Sequence, residues 1–482
     1  MCWAAFFFAN QEFFSIYFQA NVTWQLLNKD NRYDNINILK FSNINRNLNG
    51  EPKNQVTMKK ALYFRQKFIL IFLGMMALFF IPGCQDEIFE PENVETSTLK
   101  NGVGVTPANG TLSSGALYDI QLPASWNNST NPKILLVYAH GYVDFDKPVA
   151  LPDDSIPNGA GGYIPISYFV TNALEMGYAT TSYRDNGLIV PEAKQDILLL
   201  RTTIAEFFIT NATTYDPPNG IVLVGPSEGG LITVLTVEDY PELFSAAVAT
   251  CCPIGNFYDQ LQYYGDAHVL FKYFFGPSIK GIYLGSPRFV PKRTIQEWNN
   301  GTLPAAIIEV LSDDYLNNNG NKINQFLDCS GIPADRTNPQ MVIRNILDVM
   351  RFAIKATNDA VDRLHGNPFN NKFPRRIYEG SDNDRKLNLT VERIKTPDWG
   401  KAVQTLNNHF ETSGILDLPL ITIHGQYDHI ALVQQEVDYY EKAYFNPPSS
   451  NYLTPVVIPD RYGHCNFTAS EIAYWLQYLV QN

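Results

Sequence analysis

Ser227 stands in the run Gly225-Pro226-Ser227-Glu228-Gly229-Gly230, directly after the apolar stretch Ile221-Val222-Leu223-Val224. A serine hydroxyl becomes a nucleophile when a base takes its proton and a carboxylate holds that base in its useful tautomer. The run supplies the hydroxyl itself. A short strand delivers the serine to the edge of a sheet, the glycines let backbone pack around a strained turn, and the helix that follows presents the positive end of its dipole. The other groups stand at two later strand ends. Asp428 closes Gly425-Gln426-Tyr427-Asp428 after Leu420-Ile421-Thr422-Ile423, and His464 lies in Tyr462-Gly463-His464-Cys465 after Pro455-Val456-Val457-Ile458.

The elements that must position these residues alternate from about Ala116 onward. Ile134-Leu135-Leu136-Val137-Tyr138 and Tyr178-Ala179-Thr180-Thr181 read as strands, and Ile197, Leu200, Ile204 and Phe207 share one face of a helix over 192–208. Gly229–Tyr240 reads as the helix behind the serine, and Ala246–Thr250 returns to the sheet. A closing helix carries a Thr468-to-Glu471 capping box and apolar Ile472, Trp475, Leu476 and Leu479. The pattern predicts an α/β fold with a doubly wound, mostly parallel sheet. The gap between Thr250 and Leu420 predicts a largely helical cap over 253–410, inserted before the strand that carries the acid. Its helices are expected at 304–311 and 341–364, the second with Asn338 as N-cap and Pro339 in its first turn.

Two metal signals fail. His424 ends a strand while Asp428 is committed to His464, which leaves His424, Asp428 and His429 no metal centre. Asp313–Gly320 hints at a calcium loop, but its register puts Tyr315 at the first ligand position and Phe326 at the bidentate one, so it reads as a plain loop.

The order Ser, Asp, His on successive strand ends resembles the α/β-hydrolase family across about residues 115–250 and 415–482. The resemblance implies Ser227 as nucleophile, His464 as general base and Asp428 as its orienting acid, with Gly225, Gly229 and Gly230 shaping the elbow. His140-Gly141-Tyr142 matches the family's His-Gly element, which implies an oxyanion hole from the backbone N–H groups of Tyr142 and Glu228. Some members place the acid one strand earlier, where Asp259 and Asp266 are alternatives. The catalytic domain would comprise 113–252 and 411–482, with no cofactor and no metal. The serine motif also resembles prolyl-oligopeptidase-type peptidases, although the segment between Cys84 and Ile134 is too short for their propeller. The expected substrate is therefore an ester, with a short peptide as the alternative. A non-catalytic binding protein on the same scaffold is a third reading, opposed by the intact triad. Tyr258, Tyr263, Tyr264, Phe271, Tyr273, Phe274 and Phe275 either line an acyl or aryl pocket or, more ordinarily, pack the cap's core.

Six cysteines occur: Cys2, Cys84, Cys251, Cys252, Cys329 and Cys465. Cys251 and Cys252 follow one strand end and Cys465 another, so a bridge clamping the histidine loop is reasonable with either partner. Tannases and feruloyl esterases bridge a cysteine after the histidine to one directly before the serine; here that position is Pro226.

The chain has 482 residues, 45% hydrophobic and 17% charged, which suits one large domain with an insertion. A net charge of −12 and the lack of a basic patch interleaved with aromatics exclude a nucleic-acid partner. Met58-Lys59-Lys60, Arg65 and Lys67 precede an apolar run from Phe68 to Ile81 that ends in Pro82-Gly83-Cys84. This reads as a secretory signal peptide, shorter than the roughly 20 residues of a membrane span. Its end resembles a bacterial lipobox, implying cleavage before Cys84, a lipid on its thiol and a place at the bacterial envelope, with the outer membrane favoured. On that reading 58–83 is the signal peptide, 1–57 a non-native extension and 84–112 a polar tether.

Overall fold

Residues 104–128 and 131–481 are described by the computed structural model. The expected signal peptide and Cys84 lie outside them. Among the described residues ten strands follow in order: β1 (Gly104–Thr111), β2 (Leu117–Pro123), β3 (Ile134–Tyr138), β4 (Ser155–Pro157), β5 (Tyr163–Pro165), β6 (Gly177–Thr181), β7 (Gly220–Pro226), β8 (Ala246–Thr250), β9 (Leu420–Tyr427) and β10 (Leu453–Tyr462). Eight form one sheet in the order β1-β2-β6-β3-β7-β8-β9-β10, while β4 and β5 pair as a separate hairpin. From β6 to β10 every neighbour is parallel; β1 and β2 add an antiparallel edge.

The central strands β3, β6 and β8 are buried at every position because helices cover both faces of a parallel sheet. Side chains alternate between two cores. Leu135, Val137 and Leu223 pack with α1 (Val190–Thr210) and α2 (Glu228–Asp239), whereas Leu136, Tyr138 and Val224 face the closing helix, Ala469–Gln481. That helix starts on the expected capping box: the Thr468 N–H donates to Glu471 Oε2 at 2.8 Å, and the Glu471 N–H to Thr468 Oγ1 at 3.3 Å.

The sheet begins earlier than expected. Part of the segment read as tether, Gly104–Thr111, is β1, paired with β2 from Gly104–Pro123 to Thr111–Leu117. Its register shifts between Val105 and Ala108, where Pro107 sits, and bulges on edge strands accommodate a residue without an N–H.

Eight helices fill the insertion between β8 and β9. They are α3 (Phe257–Phe274), α4 (Lys292–Asn299), α5 (Thr302–Asn318), α6 (Asn321–Ser330), α7 (Pro339–Lys355), α8 (Thr357–Arg363), α9 (Asp384–Thr390) and α10 (Trp399–His409). A hydrophobic cluster of its own, including Phe271, Phe275, Phe326, Ile346 and Met350, holds much of this cap. The stretch read as one helix over 341–364 is two, divided at Ala356. Asn338 caps the first as expected, accepting from the Met341 N–H at 3.1 Å. Most of Asp313–Gly320, read as a loop, belongs to α5 instead. Asp314 is buried there and accepts the Ile323 N–H at 3.0 Å, so its carboxylate joins two helices, and the turn falls only at Asn319 and Gly320, both left-handed. After β9 come α11 (Gln434–Tyr444) and, after β10, α12 (Ala469–Gln481). Among the described residues no helix is long and apolar enough to cross a membrane.

The cap is fastened to the loop after β3 by charge. Lys355 at the end of α7 is 1% exposed and places its Nζ 2.6 Å from Asp146 Oδ2, while Arg351 donates to Asp144 Oδ1 at 2.9 Å. Removing one partner of a buried pair leaves a charge without compensation. Lys355→Met should therefore destabilise the fold by roughly 2 kcal/mol, less than the ~3–5 of a fully buried pair because Asp146 reaches water; urea unfolding midpoints measure it.

Candidate active site

The parallel strands β7, β9 and β10 end on the same side of the sheet, so the loops after them meet. Ser227 follows β7 with φ 53° and ψ −125°, a conformation that L residues rarely adopt, and its N–H donates to Thr250 O at 2.8 Å. Close approach enforces the glycines. A Cβ on Gly225 would lie 2.2 Å from Gly229 O, and one on Gly229 would lie 2.0 Å from Ala139 O. One on Gly230 would meet the Cys252 Cβ at 2.5 Å.

His464 Nε2 lies 2.9 Å from Ser227 Oγ, and His464 Nδ1 lies 2.8 Å from Asp428 Oδ2. Asp428 is fully buried, and its Oδ1 accepts the N–H groups of Ile430 at 2.8 Å and Ala431 at 3.1 Å. Burial alone would push its pKa up. The His464 charge and hydrogen bond, with His424 and the Ile430 N–H, outweigh that and hold the carboxyl below its ordinary value, so it stays ionised. With Nδ1–H directed at Asp428, the Nε2 of a neutral His464 faces the serine hydroxyl as an acceptor. The alternative acids stand elsewhere: Asp266 is paired with Arg376 and Tyr378 in the cap, and the Asp259 N–H is held by the Asn256 N-cap in the first turn of α3.

Strand order, a left-handed serine at the end of β7 and a Ser–His–Asp line across three strand ends decide the architecture. The fold is that of the α/β-hydrolases. No protein-family model and no curated protein matches the sequence. Among solved structures it is similar to feruloyl esterase B from Aspergillus oryzae, with 15% identity over 74% of this chain and 72% of that one and a TM-score of 0.37. It is similar to the acylaminoacyl peptidase of Pyrococcus horikoshii at 12% identity, covering 79% of this chain and 42% of that one, TM-score 0.35. Dipeptidyl peptidase 4 of Porphyromonas gingivalis matches at 10% identity over 79% of this chain and 35% of that one, TM-score 0.34. The chain thus spans less than half the length of either peptidase.

In this hydrolase fold the loop after β3 lies against the elbow. A Cβ on Gly141 would be 3.5 Å from both Pro226 O and the Ser227 Cβ, which brings the Tyr142 backbone beside the serine. Glu228 opens α2, and the first N–H groups of a helix have no partner within it. His140 acts as a prop, with its Nδ1 2.8 Å from Gly141 O and its ring stacked 4.0 Å from that of Tyr183. The Glu228 side chain is buried and its Oε1 has no hydrogen-bond partner. Burial, reinforced by the charge of Asp359 against that of Arg363, pushes its pKa well up and so favours its neutral form.

The serine and histidine border a cavity of about 570 Å³. Sequence patterns did not disclose that the cap's α7 contributes Asp348, Arg351 and Phe352 to its wall. Phe352 packs against Tyr142 and stacks on Tyr264, so the cap touches the loop after β3. Of the aromatic run at the cap's start, Phe271, Phe274 and Phe275 pack into the cap core. Of the two cysteines after β8, Cys251 is the one bonded to Cys465, and Cys252 is a buried free thiol. The bridge ties the residue next to His464 to the strand next to the serine.

Behind Asp428 lies a group that motifs could not reveal. His424 is fully buried; its Nε2 donates to Ala431 O at 2.7 Å, and its Nδ1 faces Glu436 Oε2 at 3.9 Å. Burial pushes the Glu436 carboxyl up to about 7, against a hydrogen bond from Thr422. Between its ordinary 4.5 and about 7 the unfolded chain has released this proton while the native state keeps it, so rising pH favours unfolding. Wild-type stability should fall relative to Glu436→Gln across that window, read from urea midpoints at successive pH values. Asp428→Asn should lower kcat by about 10⁴ with the fold intact, by removing the group that fixes the His464 tautomer. Cys465→Ser should lower kcat by up to about 10²-fold through misplacement of His464; circular dichroism checks the fold.

Proposed function

We propose that this protein is a serine hydrolase that cleaves carboxylic esters through an acyl-enzyme on Ser227. The observation that carries the reading is the unbroken line of hydrogen bonds from Ser227 through His464 to Asp428, opening on a cavity with apolar walls. Ser227 Oγ attacks the ester carbonyl while His464 Nε2 takes its proton. The oxygen that gains the charge is received by the N–H groups of Tyr142 and Glu228. His464 then protonates the departing alcohol, and a water activated by the same nitrogen releases the acid and restores the serine. No step calls for a metal or cofactor. The sequence around Cys84 supports a lipid anchor at the bacterial envelope, so a palmitate analogue should label the protein in cells and fail to label Cys84→Ser.

A fluorophosphonate should label the wild type and not Ser227→Ala, whose turnover of p-nitrophenyl esters should fall on the order of 10⁶-fold. No labelling of folded protein would overturn the reading in favour of a binding scaffold. Preference for aminoacyl-p-nitroanilides over esters would overturn the ester and leave a peptidase.

A further inference from the structure

The cavity at Ser227 has two unlike halves, and the cause lies in the chain. A parallel crossover ordinarily lays a full helix over the sheet, as the 21-residue α1 does between β6 and β7. Between β3 and β6 the only helical segments are Ile166–Tyr168 and Phe169–Ala173. The sheet face beneath is covered instead by this short pair, by Ile156 and Ile164 of the β4–β5 hairpin, and by α12. Leu136 of β3 and Val224 of β7 line the cavity together with Ile166, Phe169 and Val170 and with Ile472 and Leu476 of α12, all within or packed against one apolar cluster. Leu136, Val170 and Leu476 are at most 2% exposed, so this half is closed at its inner end. The other half carries the polar groups Asn186, Asp348 and Arg351 on the cap side and Asp153 exposed at the rim, while Asp154, also exposed, accepts from the Tyr138 hydroxyl at 2.7 Å on the apolar side.

We infer that the closed apolar half is an acyl channel, and that the substrates are esters of unbranched aliphatic acids of medium chain length. The inference rests on the hydrolase reading above. In a two-step acyl transfer the acyl group stays bound to Ser227 after the alcohol has gone. A blind apolar channel suits the part that is retained, and an open polar rim suits the part that must leave. Chain carbons entering the channel exchange water for contact with the half-buried Ile166 and Ile472, and each desolvated methylene contributes about fourfold to kcat/KM, the equivalent of ~0.8 kcal/mol.

The full chain is assayed with p-nitrophenyl acetate, butyrate, octanoate and dodecanoate, beside Ile472→Trp and Ile166→Trp, two half-buried wall positions. kcat/KM should rise at least about tenfold from acetate to octanoate. Each tryptophan should cut octanoate turnover at least about tenfold more than acetate turnover, a selective loss that general misfolding does not give. A flat response to acyl length, or a wild-type preference that both folded variants preserve, overturns the channel. So does chain-length preference on the alcohol side alone, read with acetates of longer alcohols. Absence of both acetate hydrolysis and fluorophosphonate labelling overturns the hydrolase reading itself, and is thereby distinguished from failure of the channel.

Discussion

The backbone of Ser227, held at a positive φ, is the constraint on which the site depends. Strain of this kind persists only where the surroundings over-determine it. Here the surroundings are backbone: Gly225 against Gly229, and Gly229 against Ala139 at the end of β3. The same contacts that force the turn bring the loop after β3 to the serine. Ser227 and the Tyr142 backbone are therefore placed by one packing event, and the absence of two Cβ atoms is its condition.

The histidine is placed by different means. β10 departs from its pairing with β9 between Ile458 and Tyr462, with Asp460 in a left-handed conformation, and the irregularity re-aims the loop that follows. His464 is then held from two sides, by the fully buried Asp428 and by the bridge from Cys465 to Cys251. The cap adds a third layer of control. Its Arg351 and Lys355 grip the loop after β3, and its Phe352 packs on Tyr142, so movement of the cap would be felt beside Ser227.

Burial divides the acids of the site by role. Asp428 remains ionised because His464 and two N–H groups repay its burial, whereas Glu228 has little compensation and Glu436 only the Thr422 hydroxyl, and both are pushed toward the neutral form. The difference comes from partners rather than from depth, since all three are buried.

What the sequence determined by itself are the features carried by local rules: the glycine-spaced serine after an apolar run, the Asn338 and Thr468 caps, and the parallel strands with Asp428 and His464 at their ends. Each depends on residues within a few positions of one another. Tertiary structure decided the rest, because the deciding partner is distant in the chain. Gly104–Thr111 is polar enough to read as tether and becomes a strand only through pairing with β2. Asp313 and Asp314 lie in a loop-like composition but are helical because Asp314 caps the next helix from within a packed cap. Cys251 rather than Cys252 meets Cys465 because successive residues point in different directions, and only packing shows which one faces the histidine loop. The cavity's apolar wall draws Leu136, Ile166, Val224 and Ile472 from four separate stretches of chain, and only the assembled sheet brings them together.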